Sequence, residues 1–159
     1  MDDPKQVARA RIEGAHQALI GLSHRIQANP ELGFEETLAA GWTAKWLEEA
    51  GFEVERGVGG LDTAVRGTYG PGPLNVALLV EYDALPQVGH ACGHNIIAAS
   101  SIGAGIALAP VADQLGLKVT VLGTPAEEGG GGKIMLIDAG AFADVHCALM
   151  IHPGRRFFS

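Results

Sequence analysis

Leu74-Asn75-Val76-Ala77-Leu78-Leu79-Val80 leads through Glu81-Tyr82-Asp83-Ala84-Leu85-Pro86 to His90-Ala91-Cys92-Gly93-His94-Asn95. The first block is almost continuously apolar, the pattern of a strand buried on both faces. Residues 96–112, which follow the last block, are nearly free of charge. They fall short of the about 20 residues a membrane-spanning helix needs, and contain two serines and Pro110, so they read as a buried helix. Strand, polar loop and buried helix in that order are a unit of an α/β domain.

Working outward, Asp3-Pro4 is a helix start, and Val7, Ile12, Ala15, Leu19, Leu22 and Ile26 recur near helical period until Asn29-Pro30. A second helix begins near residues 35–37, sets Leu38, Trp42, Trp46 and Leu47 on one side and ends at Gly51. Residues 52–58 and 62–69 read as a hairpin of short strands, and Gly70-Pro71-Gly72-Pro73 as a tight turn. Residues 117–122 are a further strand, 132–139 a helix and 145–151 a third core strand. The alternation predicts a three-layer α/β/α sandwich with a mixed, mostly parallel sheet, the hairpin adding its antiparallel part.

Composition narrows the function. A chain of 159 residues, 47% hydrophobic, holds one domain's worth of core, and a formal charge of -7 argues against nucleic acid or an anionic membrane as partner. Met1-Asp2-Asp3-Pro4 lacks the basic flank and apolar stretch of a signal peptide. Cys92 lies between two histidines and Cys147 inside an apolar pattern, so a disulfide between them is not expected and a reducing, cytoplasmic setting is. The glycine run at 129–132 before Lys133 invites a phosphate-loop reading, but Ile134 stands where a hydroxyl must hold magnesium and Glu127 where the first glycine is required. Gly103 and Gly105 open a dinucleotide pattern that Leu108 does not complete.

The chemistry is concentrated elsewhere. Four segments, 81–86, 90–95, 124–129 and 152–153, are expected to follow the C-terminal ends of four strands, the edge where open α/β sheets bind ligands. They carry Cys92, His94, Glu127, Glu128 and His152. Each alone reads more simply as a core cysteine or a locally bonded side chain. Together, a thiolate, two imidazoles and a carboxylate make a divalent-metal donor set, and a spare carboxylate is what metal-assisted hydrolysis needs as a base. Adjacent glutamates in extended backbone do not both face one ion, so one ligand and one base are expected. Two other readings stay open: Cys92 as a nucleophile with His94 or His90 as its base, and a non-catalytic module that folds around a metal.

The blocks Tyr82-Asp83-Ala84-Leu85-Pro86, His90-Ala91-Cys92-Gly93-His94, Pro125-Ala126-Glu127-Glu128-Gly129 and Ile151-His152 resemble those of the aminoacylase/carboxypeptidase family of di-metal metallopeptidases. So does the opening block from His24 to Thr37, which includes Pro30-Glu31-Leu32-Gly33-Phe34-Glu35-Glu36. Within the family these blocks resemble the amidohydrolase branch, and Glu81-Tyr82-Asp83 and Asn95 lean towards its aminobenzoyl-glutamate hydrolase and β-alanyl-lysine dipeptidase-like subgroup. The resemblance implies that Cys92, His94, Glu128 and His152 are metal ligands, that Glu127 is the general base and that Asp83 supports the site, with His90 structural. It implies two divalent ions, zinc or manganese first, with cobalt or nickel compatible. The expected substrate is a small N-acyl amino acid or dipeptide, cleaved at its amide bond. It further implies that residues 1–159 are the N-terminal part of a catalytic domain, inactive by themselves, with the lid and dimerisation domain of a homodimer and a last ligand histidine lying beyond.

Overall fold

The computed structural model of the protein describes residues 2–154; residues 1 and 155–159 of the expected domain lie outside them. The Asp3 carboxylate accepts the N–H of Lys5 at 3.1 Å and, with Pro4 behind it, opens α1, Pro4–Ala28. Helix α2, Thr37–Glu49, has no cap from the residue before it. Glu31 takes that part instead, accepting the N–H groups of Leu38 and Ala39 at 2.9 Å each. The hairpin is β1, Glu53–Arg56, and β2, Val65–Tyr69, paired antiparallel.

Strand β3 is Leu74–Val80, as its apolar pattern predicts. Helix α3, His94–Leu108, starts earlier than expected, so His94 is its first residue. It continues through a short turn into α4, Ala112–Leu115, and then come β4, Leu117–Gly123, α5, Gly132–Asp138, and β5, Cys147–Leu149. The sheet runs β1-β2-β4-β3-β5 and is mixed: β4-β3 and β3-β5 are parallel, β1-β2 and β2-β4 antiparallel. The parallel pairings occupy the half of the sheet formed by β4, β3 and β5, and the sheet is mixed and flanked by helices as expected.

Period-two alternation divides the core between the faces. Leu78, Val80, Val119 and Val121 pack with Leu22, Ile26, Leu47 and Ile102 from α1, α2 and α3, while Leu79 and Leu122 meet Leu136 of α5 and Val58 on the other side. The charge-free segment is thus a core helix: Ile97, Ala98, Ile102 and Ile106 are all buried. Close approach to the sheet is built in at Gly105, where a Cβ would stand 2.4 Å from Val121 Cγ2. One expectation fails. The third core strand shrinks to three exposed residues, and Cys147 is exposed, because β5 is the edge strand of the sheet among the described residues.

Far from the loops, Asp144 ties the sheet together, accepting from Arg66 at 2.6 Å, Asn75 at 3.0 Å and Lys118 at 3.2 Å. The hydrogen bond from Arg66 leads the causes that hold its carboxyl down at about 2, against a small opposing effect of burial. Because that value lies below the ordinary 3.8, the contribution to stability is complete at neutral pH and is lost as pH falls from 3.8 towards about 2. Asp144→Asn is therefore expected to lower Tm by a few degrees at pH 7, with the gap from the parent protein closing along that acid limb. Thermal melts across pH check it; a gap unchanged at pH 2 would count against the linkage.

Candidate functional site

The candidate side chains come from three strand-end connections rather than four. Segments 81–86 and 90–95 both belong to the β3-to-α3 crossover, 124–129 follows β4 and His152 follows β5. Gly93, at φ 88°, makes the sharp bend that puts Cys92 before and His94 at the start of α3.

Asp83 is the organiser. Its carbonyl and its Oδ1 each lie 2.9 Å from His94 Nδ1, and its Oδ2 accepts the Glu128 N–H at 2.9 Å. A carbonyl can only accept, so Nδ1 of His94 carries a proton, and in the neutral ring Nε2 presents its lone pair. His152 is set the same way, with Nδ1 2.8 Å from the Pro153 carbonyl oxygen and Nε2 3.4 Å from Cys92 Sγ. Both inward nitrogens are thereby turned into donors for a cation.

Around them the acceptors converge. His94 Nε2 lies 3.3 Å from Glu81 Oε2, 3.7 Å from Glu128 Oε1 and 3.9 Å from Glu127 Oε2. Donor atoms of Cys92, His94 and His152 lie within 4.8 Å of one another, and so do those of His94, Glu127 and Glu128. Two donor groups thus share His94. His94 Nε2 and Glu81 Oε2 are buried without a hydrogen-bond partner among the described residues. Acceptors facing a lone pair in a dry site repel, so the arrangement fits a divalent cation in their midst.

The electrostatics agree. Burial pushes Asp83 up, but the His94 hydrogen bond and the Glu128 N–H outweigh it and hold its carboxyl below the usual range. Burial pushes His94 down, and the hydrogen bond and charge of Asp83 overcome that and leave it raised. Burial, then the hydrogen bond to Glu128 and the charges of Glu128, Glu127 and Glu81, push the Cys92 thiol up to about 11. A nucleophilic cysteine needs the opposite environment. Cys92 and Cys147 are both free, as expected.

Sequence reasoning missed three residues. Glu36 is buried at the base of the site, where it accepts the Thr63 hydroxyl at 2.8 Å and the Ala126 N–H at 2.7 Å. That second bond fixes the residue before Glu127, which sits at φ 54°. Gly33 presses on the same spot, a Cβ there falling 2.8 Å from Ala126 Cβ. The opening block of the chain therefore buttresses the glutamate loop. Glu81 and Lys133 are the others, joined by a hydrogen-bonded ion pair. Beside Cys92 opens a polar cavity of about 440 Å³ lined by His24, Gln27, His90, Asn95 and Pro153 among others, large enough for a small substrate.

No protein-family model matches the chain. Individual relatives do. It is 45% identical to the Xaa-Arg dipeptidase of Mus musculus, over 95% of this chain and 38% of that protein. It is 37% identical to a subunit of the p-aminobenzoyl-glutamate hydrolase of Escherichia coli (strain K12), over 89% of this chain and 34% of that one. Among solved structures, a dinuclear metal-binding peptidase of the M20 family from Bacillus subtilis superposes with a TM-score of 0.77 at 28% identity, covering 86% of this chain and 42% of the other. The chain thus spans well under half the length of the curated relatives it matches.

Proposed function

For a chain related in sequence and fold to the di-metal metallopeptidases of the aminoacylase/carboxypeptidase type, we propose that the protein it represents is a metal-dependent hydrolase of amide bonds in dipeptides or N-acyl amino acids. The observation that carries this reading is the buried His94 Nε2, its lone pair turned by Asp83 towards three carboxyl groups. Cys92, His94, Glu128 and His152 would hold the ions, and two donor groups sharing His94 suit a pair of them. Thiolate and imidazole favour zinc, with manganese next. When bound, the metal supplies Lewis-acid activation of water and stabilises charge on the amide oxygen.

The chain's own residues do the rest. Asp83 fixes the tautomer of His94 and the backbone of Glu128 together. Glu128, with its side chain 23% exposed, lies against Cys92 and His94 and suits a ligand. Glu127, 40% exposed, reaches solvent beside them and suits a base that takes a proton from water and returns it to the leaving amine. Reduced Cys92 is a requirement of this chemistry, which supports a cytoplasmic setting.

The test is removal and return of metal on the full-length protein with dipeptide and N-acyl amino acid substrates. Chelation is expected to abolish hydrolysis and zinc or manganese to restore it. Activity that survives chelation but is lost on alkylation of Cys92 would replace this reading with a cysteine amidase.

A further inference from the structure

Resting on the metal reading above, we propose that Glu81 is a further metal ligand, its Oε2 donating to the same ion as His94 Nε2, with Lys133 as the residue that aims it. Glu81 follows the last residue of β3 and is 1% exposed. Its Oε1 is taken by Lys133 Nζ. Its Oε2 has no partner among the described residues and points at an imidazole nitrogen that has none either.

Distance favours it over its neighbours. Two ligands about 2.0 to 2.1 Å from a tetrahedral ion stand about 3.3 Å from each other. Glu81 Oε2 and His94 Nε2 are 3.3 Å apart, whereas Glu128 Oε1 and Glu127 Oε2 stand off at 3.7 and 3.9 Å. The carboxyl group already at ligand spacing is thus the deepest of the three. Neither atom has a hydrogen-bond partner among the described residues, so a hydrogen bond does not account for the short approach at Nε2.

Lys133 gives the glycine run its purpose in this site. Gly132 passes so close to the Pro125 carbonyl that a Cβ would lie 2.0 Å from its oxygen, and this tight passage sets the start of α5, and with it Lys133, against the loop that carries Glu127 and Glu128. The ammonium neutralises one side of Glu81 and leaves the other side for a cation. Glu81 at the end of β3 would hold the ion, and Lys133 near the start of α5 would only orient its carboxylate.

The experiment titrates Co²⁺ into metal-stripped full chain and reads affinity, stoichiometry and visible absorption, with melts of the metal-free forms. Glu81→Gln is expected to lower Co²⁺ affinity by about tenfold to a hundredfold or more and to change the absorption, since it removes a donor. Lys133→Met should cost less and keep the stoichiometry. Glu81→Asp keeps the charge beside Lys133 but withdraws the oxygen by one methylene; it is expected to weaken binding too, and it carries the test if the glutamine variant does not fold. Folded Glu81 variants that bind Co²⁺ with parental affinity and spectrum would overturn the assignment while leaving the hydrolase reading intact. A parent protein that takes up no Co²⁺ would overturn both.

Discussion

Glu127→Gln is expected to leave metal content near normal while kcat falls by about two to four orders of magnitude, the usual worth of a positioned acid/base group. Glu128→Gln is expected to lose metal instead. The two side chains are chemically identical and adjacent, so the contrast rests on placement. Glu128 is anchored through its own N–H to Asp83 and lies against the Cys92 thiol, whereas Glu127 stands further out from His94 and is more exposed. Removing a ligand weakens ion binding; removing a base leaves the ion in place with its water poorly activated. Metal stoichiometry and turnover of both variants decide it, and exchanged phenotypes would reverse the two assignments.

The second large effect belongs to Asp83, which touches no substrate in this reading. Asp83→Asn is nearly isosteric, yet whichever way the amide is turned, its NH₂ meets either His94 Nδ1 or the Glu128 N–H, a donor against a donor. Metal affinity is expected to fall about tenfold to a hundredfold at neutral pH, the usual effect of losing the partner that orients a ligating imidazole. The pH dependence distinguishes this from general damage. Asp83 raises His94 above 6.5, and a protonated Nε2 excludes metal, so parental affinity declines as pH falls through that raised value. In the variant the decline should move to lower pH, because burial then acts on His94 without the hydrogen bond and charge of Asp83 against it. Calorimetric titration of zinc across the acid-to-neutral range would show it; an unshifted acid limb would separate Asp83 from the titration of His94.

Which parts of this arrangement could be read from residue order depends on whether the signal is local. Helix α1 announces itself through Asp3, Pro4 and the Asn29-Pro30 stop, and β3 through an unbroken apolar run, because capping and burial on both faces act on neighbouring residues. At 145–151 the reading exceeds the structure, since Val145, Ala148, Leu149 and Ile151 have a core composition but lie at or near the sheet edge among the described residues, and composition does not say which strand takes an edge. Segments 81–86 and 90–95 read as following separate strands because a long crossover and a strand-loop-strand look alike at that length. Cys92, His94, Glu127, Glu128 and His152 stood out by residue type and were brought together as the pattern implied. Glu36 and Glu81 did not stand out. Each is a lone acid in an ordinary context, and what makes it matter is a partner far along the chain: the Ala126 N–H for one, Lys133 and His94 for the other.

The bond from Ala126 to Glu36 joins positions 90 residues apart. Closing a loop of that length costs about 4 kcal/mol in chain entropy, so the contact forms only once the sheet between them has drawn the ends together. During synthesis the N-terminal buttress, and then Cys92 and His94, emerge well before Glu127, Glu128 and His152 exist. An ion meeting the nascent chain at that stage finds Glu81, Cys92 and His94 without Glu127, Glu128 and His152, a partial set without the native geometry. Correct loading is then a late event, following the contact that joins Ala126 to Glu36 rather than preceding it.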